Sequence, residues 1–152
     1  MAATFRNVLN LLWRQYEQFA LASRTILAVT HNFSCRTSLR VLSLEQGWRI
    51  LFADSLEDAL RLQHLNSVSI LVYDRDLPGV EWRHGLRTLL TSKEPVFPIV
   101  ISDVLDSRLR FEVLACGGYD LAQNPLDPKD FVALVNGALA LAKSIDSLEP
   151  GL

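Results

Sequence analysis

Ser69-Ile70-Leu71-Val72-Tyr73-Asp74-Arg75-Asp76-Leu77-Pro78-Gly79 is the stretch whose reading decides the fold. Apolar residues run unbroken from Ile70 to Tyr73 and lead directly into Asp74. A continuous apolar run of this kind reads as a strand buried on both faces, which points to a parallel sheet. Pro78-Gly79 then turns the chain. Asp74 is therefore expected at the carboxyl end of a central strand, the edge where open α/β sheets bind ligands and do chemistry. It is the leading functional candidate. The alternative is a solvated aspartate that merely ends a strand.

Working outward, the same alternation of short apolar runs and helical patterns continues in both directions. Downstream, Trp82 to Leu90 reads as a helix, and Phe97 to Ser102 as a strand with Pro98 at its start, where a missing donor is tolerable. Ser107 to Cys116 reads as a helix closed by Gly117-Gly118, and Tyr119 to Gln123 as a fifth strand. The last helix starts at Asp127-Pro128 and runs to about Lys143. Upstream, Thr25 to Thr30 and Trp48 to Ala53 read as strands. Phe33 to Gln46 is a helix stopped by Gly47, and Asp54-Ser55 can cap a helix over Leu56 to His64. Strands alternating with helices imply right-handed crossovers and a doubly wound sheet covered on both faces. The fold expected is flavodoxin-like, with five parallel strands in the order 2-1-3-4-5. Before it, residues 4 to 22 form an amphipathic helix with Phe5, Val8, Leu9, Leu12, Tyr16 and Phe19 on one face. The organisation is then an N-terminal helix (1–23), an α/β domain (24–144) and a tail (145–152).

Composition narrows the function. The chain has 152 residues, a length suited to one domain with a full core. Its net charge of −2 gives no electrostatic footprint for nucleic acid. No apolar run is long enough for a membrane span, and no signal peptide stands at the N-terminus. Cys35 and Cys116 match no metal spacing and read as free thiols of a reducing cytoplasm. Cys35 to Arg40 has one residue too few between cysteine and arginine for a cysteine-phosphatase loop, and lacks its glycines.

From about Arg24 to Lys143 the chain resembles the response-regulator receiver domain of two-component signalling. Asp74-x-x-Leu77-Pro78-Gly79-Val80-Glu81 is similar to that family's phosphoacceptor strand and turn. Pro98 to Ser102 resembles its fourth strand, whose terminal hydroxyl contacts the phosphoryl group. Gly117-Gly118-Tyr119-Asp120 with Pro125 resembles the segment that carries its lysine. The resemblance implies Asp74 as the phosphoacceptor position and Ser102 as the phosphoryl contact.

Three positions depart from the pattern. The acidic pair that would hold Mg²⁺ is replaced by Thr30 and His31, poor ligands for a hard cation. The lysine position is Asn124, which can donate a hydrogen bond but carries no charge. The aromatic switch position is Leu121, which has no hydroxyl and no amphipathic ring. Phosphoryl transfer depends on positioning and charge neutralisation, so the expectation is a degenerate, stand-alone receiver that is not an enzyme. It would bind no cofactor beyond weak Mg²⁺, reside in the cytoplasm and touch neither nucleic acid nor membrane. Its partners would be other signalling proteins, a histidine kinase among the candidates, and a second copy through the N-terminal helix. The second reading is a genuine phosphoacceptor. The third is a small α/β hydrolase or transferase using His31 with Asp74. His31 alone reads as a loop histidine, a pH-sensitive group or a metal ligand. Trp82 reads either as packing or as an anchor for a partner.

Overall fold

The computed structural model describes residues 6–12, 25–91 and 94–148. Five strands form one sheet: β1 (Thr25–Val29), β2 (Arg49–Ala53), β3 (Val68–Asp74), β4 (Phe97–Ser102) and β5 (Asp120–Gln123). All neighbours are parallel, in the order β2-β1-β3-β4-β5. Residues 6–12 are helical and are labelled α1; the rest of the helix expected over residues 4 to 22 lies outside the described residues. The remaining helices are α2 (Phe33–Gln46), α3 (Leu56–Leu65), α4 (Trp82–Leu90), α5 (Ser107–Ala115) and α6 (Pro128–Leu148). The expected elements and order are all present. The last helix continues to Leu148, past the expected end near Lys143.

The strands show why the sheet must be covered twice. Successive side chains of a strand point to opposite faces. On β3, Ile70 and Val72 pack with Cys35, Leu39 and Leu42 of α2 and with Phe131 and Val135 of α6. Leu71 and Tyr73 face the other way, against Ala59 of α3, Leu86 and Leu89 of α4, and Val113 of α5. Both sets are apolar, so one strand needs two helical layers, and the right-handed crossovers supply them.

The helix boundaries follow local chemistry. Asn32 accepts a hydrogen bond from Cys35 N at 2.8 Å and caps α2. Gly47 ends that helix at φ 72°, a left-handed conformation that a Cβ would oppose. Ser55, Glu81 and Asp106 cap α3, α4 and α5 through their side chains. Trp82 is buried in the core with Leu86 and Leu89, so of its two readings packing holds and the exposed anchor does not. Both cysteines are free, Cys35 buried and Cys116 half-buried.

Candidate functional site

Three strand ends converge on the carboxyl edge of the sheet. Asp74 is the last residue of β3, and its register partner on β4 is Ile101, one position before Ser102. Neighbouring strands lie about 4.8 Å apart, so Asp74 and Ser102 sit side by side as expected. Thr30 follows β1 and extends that strand's pairing, its N–H donating to Ala53 O at 2.9 Å. Its side chain is fully buried and donates from Oγ1 to Asp74 Oδ2 at 2.7 Å. The other carboxylate oxygen, Oδ1, accepts from the Asp76 N–H at 2.9 Å. Thr30 Oγ1 also accepts from Asn32 N at 3.0 Å, which links the notch to the cap of α2.

Ser102 is equally engaged. Its Oγ accepts from Val104 N at 3.1 Å. Arg75, the residue after Asp74, reaches the same oxygen with Nη1 at 3.4 Å. The backbone explains this placement. Arg75 N donates to Ile101 O at 3.0 Å, so the β3–β4 ladder runs one step past the strand end and lays Arg75 beside β4. Sequence reasoning did not find this guanidinium. The available signal was an arginine directly after the candidate acid.

Asn124 directs Nδ2 to Asp103 Oδ1 at 3.3 Å, and the Asn124–Pro125 peptide is cis. Leu121 is buried in β5, in the apolar layer with Leu109 and Val113 of α5. His31 is exposed and is not drawn into the notch. It lines a separate cavity with Phe33, Arg36, Arg40 and Asp54. No hydrogen bond joins it to Asp74, so the pairing needed by the hydrolase reading is not formed. Among the described residues, no group of three or more His, Cys, Asp or Glu is placed to hold a metal ion.

The buried surroundings of the notch suppress ionisation. Burial, with the Asp74 charge adding to it and a Thr30 hydrogen bond opposing it, pushes the Cys35 thiol from 9.0 up to about 12. Burial, reinforced by Glu81 and Asp74, pushes the Tyr73 phenol from 10.0 up to about 12. Neither is a nucleophile at neutral pH. A cavity of about 600 Å³ lies at the opposite, amino edge of the sheet, between the ends of α3 and α4, lined by Leu60, Gln63, His64 and Thr88 among others. It holds none of the notch residues.

With this geometry in hand, the architecture is that of response-regulator receiver domains. The structure is similar to a signal receiver domain from Vibrio parahaemolyticus (TM-score 0.76, 17% identity, 83% of this chain and 97% of that one). It is similar also to the signal receiver domain of an HD domain-containing protein from Pseudomonas fluorescens (TM-score 0.74, 18% identity, 82% and 92%). A CheY-like receiver domain protein from Methanospirillum hungatei matches with TM-score 0.72 and 16% identity over 80% of this chain and 97% of that one. No family model and no curated protein sequence matches the chain, so the likeness lies in the fold.

Proposed function

We propose that the chain is a degenerate receiver of the two-component type, a signalling module that acts by binding other proteins rather than by catalysis. The observation that carries this reading is the hydrogen-bonded Asp74 carboxylate, with a hydroxyl donor beside it where a second acid would stand. One oxygen is held by the Thr30 hydroxyl at 2.7 Å and the other by the Asp76 amide at 2.9 Å. A hydroxyl that donates to the carboxylate replaces a second acid that would have called for a cation. Mg²⁺ prefers several oxygen ligands in near-octahedral order, and this donor set favours weak binding at most. Asn124 spends its amide on Asp103 and brings no charge. Leu121, packed in the core, has no exposed position to swing to without losing that burial. Among the described residues no helix is long and apolar enough to cross a membrane; the compartment proposed is the cytoplasm and the partners proposed are other signalling proteins.

The test is incubation with Mg²⁺ and a small phosphodonor, read by intact mass. The expected outcome is no phosphoryl adduct. An adduct at Asp74 that disappears in Asp74→Asn overturns the degenerate reading and establishes the second one, a genuine phosphoacceptor. One observation favours that second reading: Arg75 brings a positive charge to Ser102 Oγ, and a guanidinium is well suited to phosphoryl oxygens.

The N-terminal helix supports self-association. Over residues 6–12 it leaves Val8, Leu9, Leu11 and Leu12 about half exposed, an apolar surface that a two-fold pairing would cover. Phe5, Trp13, Tyr16 and Phe19 of the expected face lie outside the described residues. Sedimentation of the full chain across micromolar concentrations should show a dimer, lost in Leu9→Glu/Leu12→Glu. A monomer throughout removes this part of the proposal.

A further inference from the structure

A second pocket opens on the outer side of the same sheet edge. It has a volume of about 220 Å³ and is lined by His31, Phe33, Arg36, Thr37, Arg40 and Asp54. Arg36 and Arg40 stand one turn apart on α2, an arrangement in which like charges repel. Phe52 of β2 holds both. Each guanidinium carbon lies 5.1 Å from the centre of its ring, within range of cation–π attraction. Among the described residues neither guanidinium donates a hydrogen bond or pairs with a carboxylate, although Asp54 shares the lining. The chain thus gathers two cations over one aromatic ring and leaves their N–H forks unused at the wall of a concavity. Phe33 also lines it and is 82% exposed as a residue.

We propose that this pocket binds a small phosphate ester. Paired guanidinium forks match phosphate oxygens in geometry and charge, and an anion between Arg36 and Arg40 offsets their mutual repulsion. The volume lies below the ~300–1,000 Å³ of pockets that engulf a drug-sized ligand. It takes the phosphate group and leaves the organic part outside, where the exposed Phe33 ring offers a stacking surface. The occupant is therefore a monoester with a flat body, of which a nucleoside monophosphate is the simplest example. The pocket is distinct from the Asp74 notch, and the inference stands whether or not Asp74 accepts a phosphoryl group.

The test uses the full chain, uniformly ¹⁵N-labelled, at low salt. It is titrated in separate arms with adenosine monophosphate, ribose 5-phosphate, inorganic phosphate and adenosine. Adenosine monophosphate should shift the amides of residues 31–40 and 52–54, bind more tightly than ribose 5-phosphate or inorganic phosphate, and leave adenosine without effect. Arg36→Gln and Arg40→Gln should each weaken binding by about tenfold, the value of one charge-assisted contact. Arg40 is exposed and Arg36 half-buried, and a thermal unfolding scan of each variant checks that the fold is kept. Arg36→Lys retains the charge without the fork and should also weaken binding. The proposal is overturned if none of the phosphate ligands shifts these amides at millimolar concentration. It is overturned equally if adenosine binds as well as its monophosphate, if inorganic phosphate matches the ester, or if the two arginine variants bind normally.

Discussion

Gly85→Ala probes how the strand that carries Asp74 is spaced from the helix beside it. Gly85 lies in α4, and Tyr73 of β3 presses onto it. A Cβ at position 85 would stand 2.0 Å from the Tyr73 hydroxyl oxygen and 2.9 Å from its Cζ. The first distance is far inside contact range, so the ring must tilt or the helix must lift. Tyr73 is fully buried and has no exit to solvent. Overpacking of this kind costs about 1–3 kcal/mol, and the better helix propensity of alanine returns roughly 1 kcal/mol. With the contact at 2.0 Å the upper part of that range, about 2–3 kcal/mol, applies, so a net loss of about 1–2 kcal/mol is expected, a fall in Tm of about 2–8 °C for a domain of this size. Tyr73→Phe should act in the opposite sense. The phenol has no hydrogen-bond partner among the described residues, and a buried unpaired hydroxyl costs about 1–3 kcal/mol. Its removal should leave stability unchanged or raise it. In the double variant the 2.0 Å obstacle is gone and the 2.9 Å approach to Cζ remains, so most but not all of the loss should return. The cycle is measured by urea unfolding followed by circular dichroism, with the slope m held constant, and a coupling of at least about 1 kcal/mol is expected. If Gly85→Ala is as stable as the parent chain, or the double variant is no better than Gly85→Ala, the Tyr73–Gly85 contact does not set this spacing.

Two further predictions concern the notch and its surroundings. Cys35 and Tyr73 both bind their protons more tightly folded than unfolded, with values raised to about 12 from 9.0 and 10.0. The stability they contribute is therefore complete below about pH 9 and is lost as pH rises toward 12. Urea midpoints should fall between about pH 8.5 and about pH 11, across the range in which the two groups titrate, less steeply in Tyr73→Phe; a flat profile would refute the assignment. Thr30→Val removes the hydroxyl that donates to Asp74 Oδ2 and should cost about 1.5–3 kcal/mol, the range for a hydrogen bond to a charged group. Thr30→Ser should retain most of that, and equal stability of the Val and Ser variants would show that the contact contributes nothing.

The sheet was legible because each strand carries its own evidence. Ile70 and Val72 on one face and Leu71 and Tyr73 on the other require two helical layers, and a parallel sheet with right-handed crossovers leaves few alternatives. Two helix ends were legible because Gly47 and the side chain at 55 have local reasons to be there, while the Asp106 cap of α5 emerged only in the structure. The site was legible as a set of strand ends and not as a set of contacts. Strand alternation orients residues within a strand and says little about the residue just beyond it. Arg75 lies one step past β3, and only the continued ladder to Ile101 O places it beside Ser102.

Thr30 and His31 show the other limit. Counted as replacements for two acids, both look like losses, and the sequence supports reading them together. The chain treats them differently: Thr30 is fully buried and bonded to Asp74, while His31 faces outward into a pocket with two arginines. The difference comes from hydrogen-bond direction. A carboxylate at position 30 could only accept, so beside Asp74 it would create repulsion that a cation must resolve. A hydroxyl can donate, so it satisfies Asp74 directly and accepts from Asn32 N at the same time. A donor in place of an acceptor thus ties β3 to the cap of α2 and, on the proposed reading, closes the cation site. Thr30→Asp should reverse this. With the donor gone, two carboxylates face each other, so the variant should be less stable than the parent in the absence of divalent ions. Millimolar Mg²⁺ should restore part of the loss, by mass action on the folded state. Parent-like stability of Thr30→Asp without Mg²⁺, or a loss that Mg²⁺ leaves untouched, would show that the hydroxyl is not what closes the site.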